Sequence, residues 1–429
     1  MRRLNRACSL ATLSSRPSAR WLRGAAAAGL GLSLVAAGCG PAAAPSPPPP
    51  APILPAVAAP AAAPIPARPR EMPGFTGCFE PRRGPKRMTI SDGLLLDVDR
   101  DGTRDLVVLG AKTGRQYEES LFVLSGDRAG DFAVQSRQRV PAGWLGLVIA
   151  DFNGDGKPDL AADDYERGTV DVRLGTQDGG YGSARVHPVG EKAGQLASGD
   201  FDGDGRLDLA VPLASEVKLL RGTGTGSFVG LQSLPTGKYP ARPVVADFNQ
   251  DGRPDVAVAS NDSHKLHVFL HDGKRLEHAG DYACGKGGAP LAVGDFDGDG
   301  FDDVAMGNMN SHTTCVFRGD GHGKLRLGEE LADGGWSAGA ADLDHDGHAE
   351  LVVSSALPRR GNRLGPWGAL SVYRFEEGRM VLKAKLDTLA PAERFWVHDV
   401  DGDSTHDVIT ISQSGVMVLL GRPCPNGGP

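Results

Sequence analysis

ASGDFDGDGRLDLAVPL, residues 197–213, holds the pattern that decides the architecture. Asp200, Asp202, Asp204 and Asp208 take the first, third, fifth and ninth places of a nine-residue loop, with Gly205 after the fifth. A short apolar run leads into the loop and another leaves it. The pattern D-x-[DN]-x-D-[GS]-x-x-[DE] occurs seven times, starting at Asp97, Asp151, Asp200, Asp247, Asp295, Asp342 and Asp399. Successive starts are 54, 49, 47, 48, 47 and 57 residues apart, a period that marks an array of supersecondary units.

Alternating side-chain oxygens on a tight loop converge on one point, and hard cations such as calcium take six to eight oxygens in flexible geometry. The candidate ligands are Asp97, Asp99, Asp101 and Asp105; Asp151, Asn153, Asp155 and Asp159; Asp200, Asp202, Asp204 and Asp208; Asp247, Asn249, Asp251 and Asp255. The last three loops add Asp295, Asp297, Asp299 and Asp303; Asp342, Asp344, Asp346 and Glu350; Asp399, Asp401, Asp403 and Asp407. Up to seven calcium ions are expected. The glycine at the sixth place supplies a sharp turn without a Cβ penalty. An EF-hand needs Glu at position twelve, where the first three loops carry Val108, Ala162 and Val211, so the loop closes at its ninth residue and enters a strand. One such loop is equally well read as an ordinary Asp/Gly turn; seven in register are not. Glu350, Gln250 and Ser404 mark the sixth, fourth and seventh copies as degenerate.

Each loop is preceded by a strand-like run (Leu147 to Ala150, Val244 to Ala246) and followed by a second (Asp208 to Val211), a third (Val217 to Leu220) and a weaker fourth. Four short antiparallel strands per repeat is the size of a propeller blade, and helical periodicity is absent. VADFNQDGRPDVAVAS at 245–260 and AVGDFDGDGFDDVAMG at 292–307 resemble the FG-GAP or VCBS-type repeats of integrin alpha-subunit propellers and their bacterial relatives. The resemblance covers about residues 75–425. It implies an all-β, seven-bladed propeller with calcium-binding hairpin loops between the innermost and second strands of each blade. It does not imply one function, since this fold carries adhesins, lectins, scaffolds and a few lyases.

The first 38 residues hold six Arg and no acid, so their removal turns a formal charge of −7 into 40 basic against 53 acidic residues. The proposed loops account for 26 of those acids, and seven divalent ions bring the mature chain near neutrality. No basic face for nucleic acid emerges. Arg2, Arg3, Arg6, Arg16, Arg20 and Arg23, the apolar stretch Ala25 to Ala37 and the sequence LVAAGC ending at Cys39 read as a bacterial lipoprotein leader over residues 1–38, with lipidation of Cys39. Gly40 favours the outer membrane. Residues 39–74, rich in Ala and Pro, read as a semi-rigid tether.

Cys78, Cys284, Cys315 and Cys424 remain, an even count that favours disulfides in an exported protein. The last repeat ends one strand short, and Phe75 to Glu80 can supply the missing strand, closing the ring and bringing Cys78 to Cys424. Cys284 and Cys315 form the other expected pair, with buried free thiols as the alternative.

No H-E-x-x-H, nucleophile elbow or P-loop occurs. His264, His267, His271 and His278 form the densest histidine group and read as surface and turn residues. Ligand-binding candidates lie opposite the metal loops: Trp144, Tyr239 and Trp336 at blade entries, and Arg359, Arg360, Arg363 and Trp367 in the longest connection. Aromatics beside Arg suit sugars and carboxylates, while Trp144 and Trp336 read more readily as inter-blade packing. The expected function is a monomeric, calcium-dependent, non-enzymatic binding or adhesion module for protein or glycan. The alternative is a polysaccharide lyase or hydrolase on the same face.

Overall fold

A computed structural model describes residues 79–83, 88–112, 118–177, 179–343, 347–356, 368–388 and 390–421. Among them lie 28 strands and no α-helix, grouped as seven four-stranded antiparallel sheets. Six blades take four consecutive strands each, over residues 88–139, 144–188, 197–235, 244–283, 288–331 and 337–388. The seventh combines Arg394–His398, Asp407–Ser412 and Gly415–Gly421 with Phe79–Arg83. That closing strand pairs antiparallel with the last one, Phe79 opposite Gly421 and Arg83 opposite Met417. It begins inside the stretch read from the sequence and runs three residues past Glu80, pairing with Met417 to Gly421. Closure removes two open sheet edges. Cys78 and Cys424 lie outside the described residues, as do the leader, Cys39 and the tether.

The second strand of each blade is buried on both faces between its two neighbours and is apolar along most of its length, Asp163 and Asp164 in the second blade being the exception. In Asp208–Pro212, Leu209 and Val211 pack toward the second blade while Ala210 packs toward the fourth. Period-two alternation thus feeds two cores at once. The outer strand Phe228–Pro235 buries Phe228 and Leu234 and leaves most of its length in solvent. Seven apolar layers result, one between each pair of neighbours, including the closing layer in which Ile409, Ile411 and Val418 meet Ile90, Val108 and Phe122.

The second residue of each metal-type loop belongs to these layers. Phe152, Phe201, Phe248 and Phe296 are buried against the following blade, and Val98 and Leu343 hold the same place in theirs. Their carbonyls are used as well: Phe152 and Phe248 accept from Gly226 and Gly323 of the next blade at 3.1 and 3.0 Å. Loop conformation and blade packing are therefore coupled through one residue. A disulfide joins Cys284, at the entry to the fifth blade, to Cys315 in its third strand, with Cα atoms 6.2 Å apart.

Candidate metal loops and the opposite face

Every first strand runs into its loop in the same direction, so all seven loops share one rim of the ring. The first aspartate of each organises the turn. Asp200 Oδ1 accepts the N–H groups of Gly203 and Asp204 at 2.8 and 3.1 Å, and Oδ2 accepts that of Gly205 at 2.8 Å. Asp151, Asp295 and Asp399 repeat this set on their own loops. Such wrapping needs left-handed backbone at the fourth and sixth places, with φ of 74° at Gly203 and 80° at Gly205. Arg100, Gln250 and Ser404 adopt it without being glycine, at 64°, 57° and 67°. The result gathers carboxylates: ligand atoms of Asp97, Asp99 and Asp101 lie within 4.8 Å of one another, as do those of Asp200, Asp202 and Asp208 and those of Asp295, Asp297 and Asp299.

The ninth residue does a second job. Asp208 is fully buried; its Oδ2 accepts the Phe201 N–H at 2.9 Å and its Oδ1 the Gly222 N–H, at the end of the third strand, at 2.7 Å. Asp105, Asp159, Asp255, Asp303 and Asp407 make the same two bonds, to Val98 and Gly126, Phe152 and Gly175, Phe248 and His271, Phe296 and Gly319, and Val400 and Gly421. In the sixth loop Glu350 accepts from Leu343 at 2.7 Å, and its other oxygen lies 4.0 Å from Arg374. Where a glycine stands at the strand end it permits close approach, since a Cβ on Gly222 would lie 2.2 Å from the Leu207 carbonyl oxygen and one on Gly319 2.3 Å from that of Asp302; the fourth blade makes the same bond from His271.

Burial pushes Asp208 and Asp303 up to about 7 and Asp159, Asp255 and Asp407 up to about 6, against the opposing backbone hydrogen bonds; neighbouring loop carboxylates add to the rise. Crowded anionic oxygens on a preformed turn, with no nitrogen or sulfur donor among the described ligand positions, are the donor set of a hard divalent cation. The loops fit calcium on that ground. Asp344 and Asp346 lie outside the described residues, so the sixth loop is judged on Asp342 and Glu350 alone.

The opposite face is concave. A cavity of about 350 Å³ at the axis is lined by residues of five blades, among them Gln195, Arg242, Trp336, Glu393 and Arg394. Gln195 and Arg242 also line a neighbouring cleft of about 280 Å³ that reaches Tyr165, Lys192 and Tyr239. Tyr239 is 57% exposed with φ of 56°. Lys192 donates to the Tyr165 hydroxyl at 3.0 Å and sits 5.3 Å from the ring centre.

Residues 97–162, 200–258, 247–306 and 295–353 match the FG-GAP-like repeat family, together just over half of the chain. The chain belongs to the FG-GAP-like repeat family. No curated protein sequence matches it. Among solved structures it is similar to BBS1N in complex with ARL6DN, at 15% identity and a TM-score of 0.56 over 82% of this chain and 98% of that one. It is also similar to a putative 6-phosphogluconolactonase from Bacteroides uniformis, at 14% identity and a TM-score of 0.52 over 70% and 85%. A third, the V. cholerae biofilm matrix protein Bap1, shares 11% identity at a TM-score of 0.51 over 82% and 92%. At these identities the likeness concerns the fold alone.

Against that FG-GAP frame the expected ligand residues separate. Tyr239 and Trp336 face the concave side. Trp144 does not: it is 1% exposed, packs in the layer between the first two blades under the Arg173 guanidinium, and offers no ligand surface. Arg359, Arg360, Arg363 and Trp367 lie outside the described residues. On the hairpins between second and third strands, Asp164 holds Arg167 at 2.6 Å and Asn308 donates to Cys315 Sγ. The histidines are brought together in part: His267 and His278 each lie 2.7 Å from Asp281 Oδ1, with Lys265 3.3 Å from Oδ2. Sequence spacing did not reveal this group, because Asp281 reaches His267 across a strand pair.

Proposed function

We propose that this FG-GAP propeller is an exported, lipid-anchored, calcium-binding module that binds a glycan or protein without turning it over. The observation that carries the reading is the separation of two surfaces on one rigid ring. One rim holds the carboxylate loops, and the other holds the concavity built from Gln195, Arg242, Tyr239 and Trp336.

In each loop the first, third, fifth and ninth side chains would hold the ion, which in the third repeat are Asp200, Asp202, Asp204 and Asp208. Calcium, when bound, neutralises the crowded carboxylates. The chain's own part is to hold the turn through the first residue and to lock it to two strands through the ninth. Because the second residue packs on the next blade, a stiff loop stiffens the ring, and the concave face is presented in one shape. The role assigned to calcium is therefore structural. The arginines at the concave face favour binding, since Asp92 holds Arg242 and Arg394 in fixed orientations.

The test is a glycan and protein binding array with the purified chain in calcium and in chelator, with product analysis of each bound sugar. Calcium-dependent capture without turnover is expected. Turnover of a bound polysaccharide would replace this reading with the lyase or hydrolase alternative.

A further inference from the structure

Five places before each metal loop stand Asp92, Gly146, Gln195, Arg242, Pro290, Ser337 and Arg394. Pseudo-symmetry carries equal offsets to equal depth along the axis, and the structure joins three of these residues from blades distant in sequence. Arg242 Nη2 donates to Asp92 Oδ2 at 2.5 Å, and Arg394 Nε lies 2.9 Å from Asp92 Oδ1. Arg394 Nη1 donates to the Gly93 carbonyl at 2.9 Å, and the Leu147 N–H donates to Asp92 Oδ2 at 2.9 Å. Gly146 leaves room for the pair, since a Cβ there would come within 2.9 Å of both Arg242 Nη2 and Gln195 Cγ.

Asp92 is fully buried, and both guanidiniums line the axial cavity of about 350 Å³. A guanidinium has five donors, and Asp92 and Gly93 use few of them. Arg242 Nε is buried without an acceptor. Trp336, Phe395 and Trp396 line the same cavity. Two oriented forks suit a carboxylate, and aromatic walls suit the apolar faces of sugar rings. Glu393 is the acid that lines the cavity with them, and burial holds it above the usual carboxylate range. Next to Arg242, burial also pushes Asp163 up to about 8, which reduces the negative charge behind the pair at neutral pH.

We infer that the axial cavity is a subsite for a carboxylated saccharide, a uronate residue of an acidic glycan. Its carboxylate is taken by Arg242 and Arg394, and its ring lies against Trp336 and its neighbours. This deepens the binding-module reading and rests on it.

The experiment is calorimetric titration of the intact chain, in calcium, with oligogalacturonate, oligoalginate, methyl-esterified oligogalacturonate and a neutral cello-oligosaccharide. A uronate should bind about tenfold or more tightly than its ester, because esterification removes the charge-assisted bonds. Glu393→Gln, which removes the acid from the cavity without changing its shape, should tighten uronate binding severalfold. Trp336→Ala, at a partly exposed position, should weaken it about tenfold. Equal affinity for acid and ester, no binding of any uronate, or binding unmoved by both variants would each overturn the subsite. Cleavage of a bound uronate would instead retire the non-enzymatic reading while leaving the subsite in place. Binding of the neutral sugar alone, insensitive to the variants, would remove the subsite and leave the module reading standing.

Discussion

Replacing Asp208 by Ala separates the two jobs of the ninth loop residue. Its carboxylate is fully buried and accepts the Phe201 and Gly222 N–H groups at 2.9 and 2.7 Å. Truncation leaves two buried donors without partners, each costing about 1–3 kcal/mol, so the loss expected before any metal is considered is about 4 kcal/mol. Asp208→Glu should cost about half of that, because Glu350 fills the same place in the sixth loop and still reaches the Leu343 N–H at 2.7 Å. Asp202→Ala is the comparison: its side chain accepts one N–H, that of Asp204 at 3.2 Å, on the exposed side of the loop. In excess chelator it should cost less than about 1 kcal/mol. Urea unfolding of the three variants, in saturating calcium and in chelator, reads the difference, and amide exchange at Phe201 and Gly222 localises it. If Asp208→Ala in chelator costs no more than Asp202→Ala, the ninth residue is a metal ligand and nothing else, and the argument for a strand-locking clamp fails.

Gly222→Ala should destabilise the third blade by about 2–3 kcal/mol through overpacking, since the new Cβ would lie 2.2 Å from a backbone oxygen; thermal melting checks it. Ser404→Gly should stabilise the seventh loop by about 1 kcal/mol, because exposed Ser404 holds φ of 67°, a conformation for which glycine is suited; a lower melting temperature would refute this. Burial holds Asp163 up to about 8. A raised carboxylate contributes fully below its unfolded value near 4 and loses that contribution as pH rises toward 8, at about 1.4 kcal/mol per pH unit. Asp163→Asn should therefore gain more at pH 8 than at pH 5, and a pH-independent gain in urea midpoint would contradict the assignment. Cys39→Ser should move the expressed protein from the membrane fraction to the soluble one; unchanged membrane association would remove the lipid anchor.

Blade count, strand order and loop positions were legible because the repeat prints the same chemistry seven times and the strand pattern has period two on both faces. The clamp was half legible. The ninth acid stood out, but its bonding to Gly222 joins residues fourteen apart, and the strand-end glycines Gly126, Gly175, Gly222, Gly319 and Gly421 fall at varying distances from their loops. Aligning the third strands, and not the loops, would have shown them. The axial group was hidden for a different reason. Asp92, Arg242 and Arg394 carry no local motif, yet each precedes its loop by five residues, and superposing the seven repeats brings them into one column. Trp144 could not be assigned from the sequence, because a tryptophan at a blade entry serves packing as readily as binding, and its burial between two blades decides the matter.

The most direct test of the account is the melting temperature of the chain in saturating calcium against excess chelator. A site filled at a hundred times its dissociation constant stabilises by about 2.7 kcal/mol. With an unfolding entropy near 2.1 cal/mol/K per residue over about 350 residues, that is about 4 °C per site and about 25 °C for all seven. A drop of that order, reversed by calcium and not by magnesium, is the predicted result. A melting temperature unchanged in chelator would contradict the claim that these loops are calcium clips.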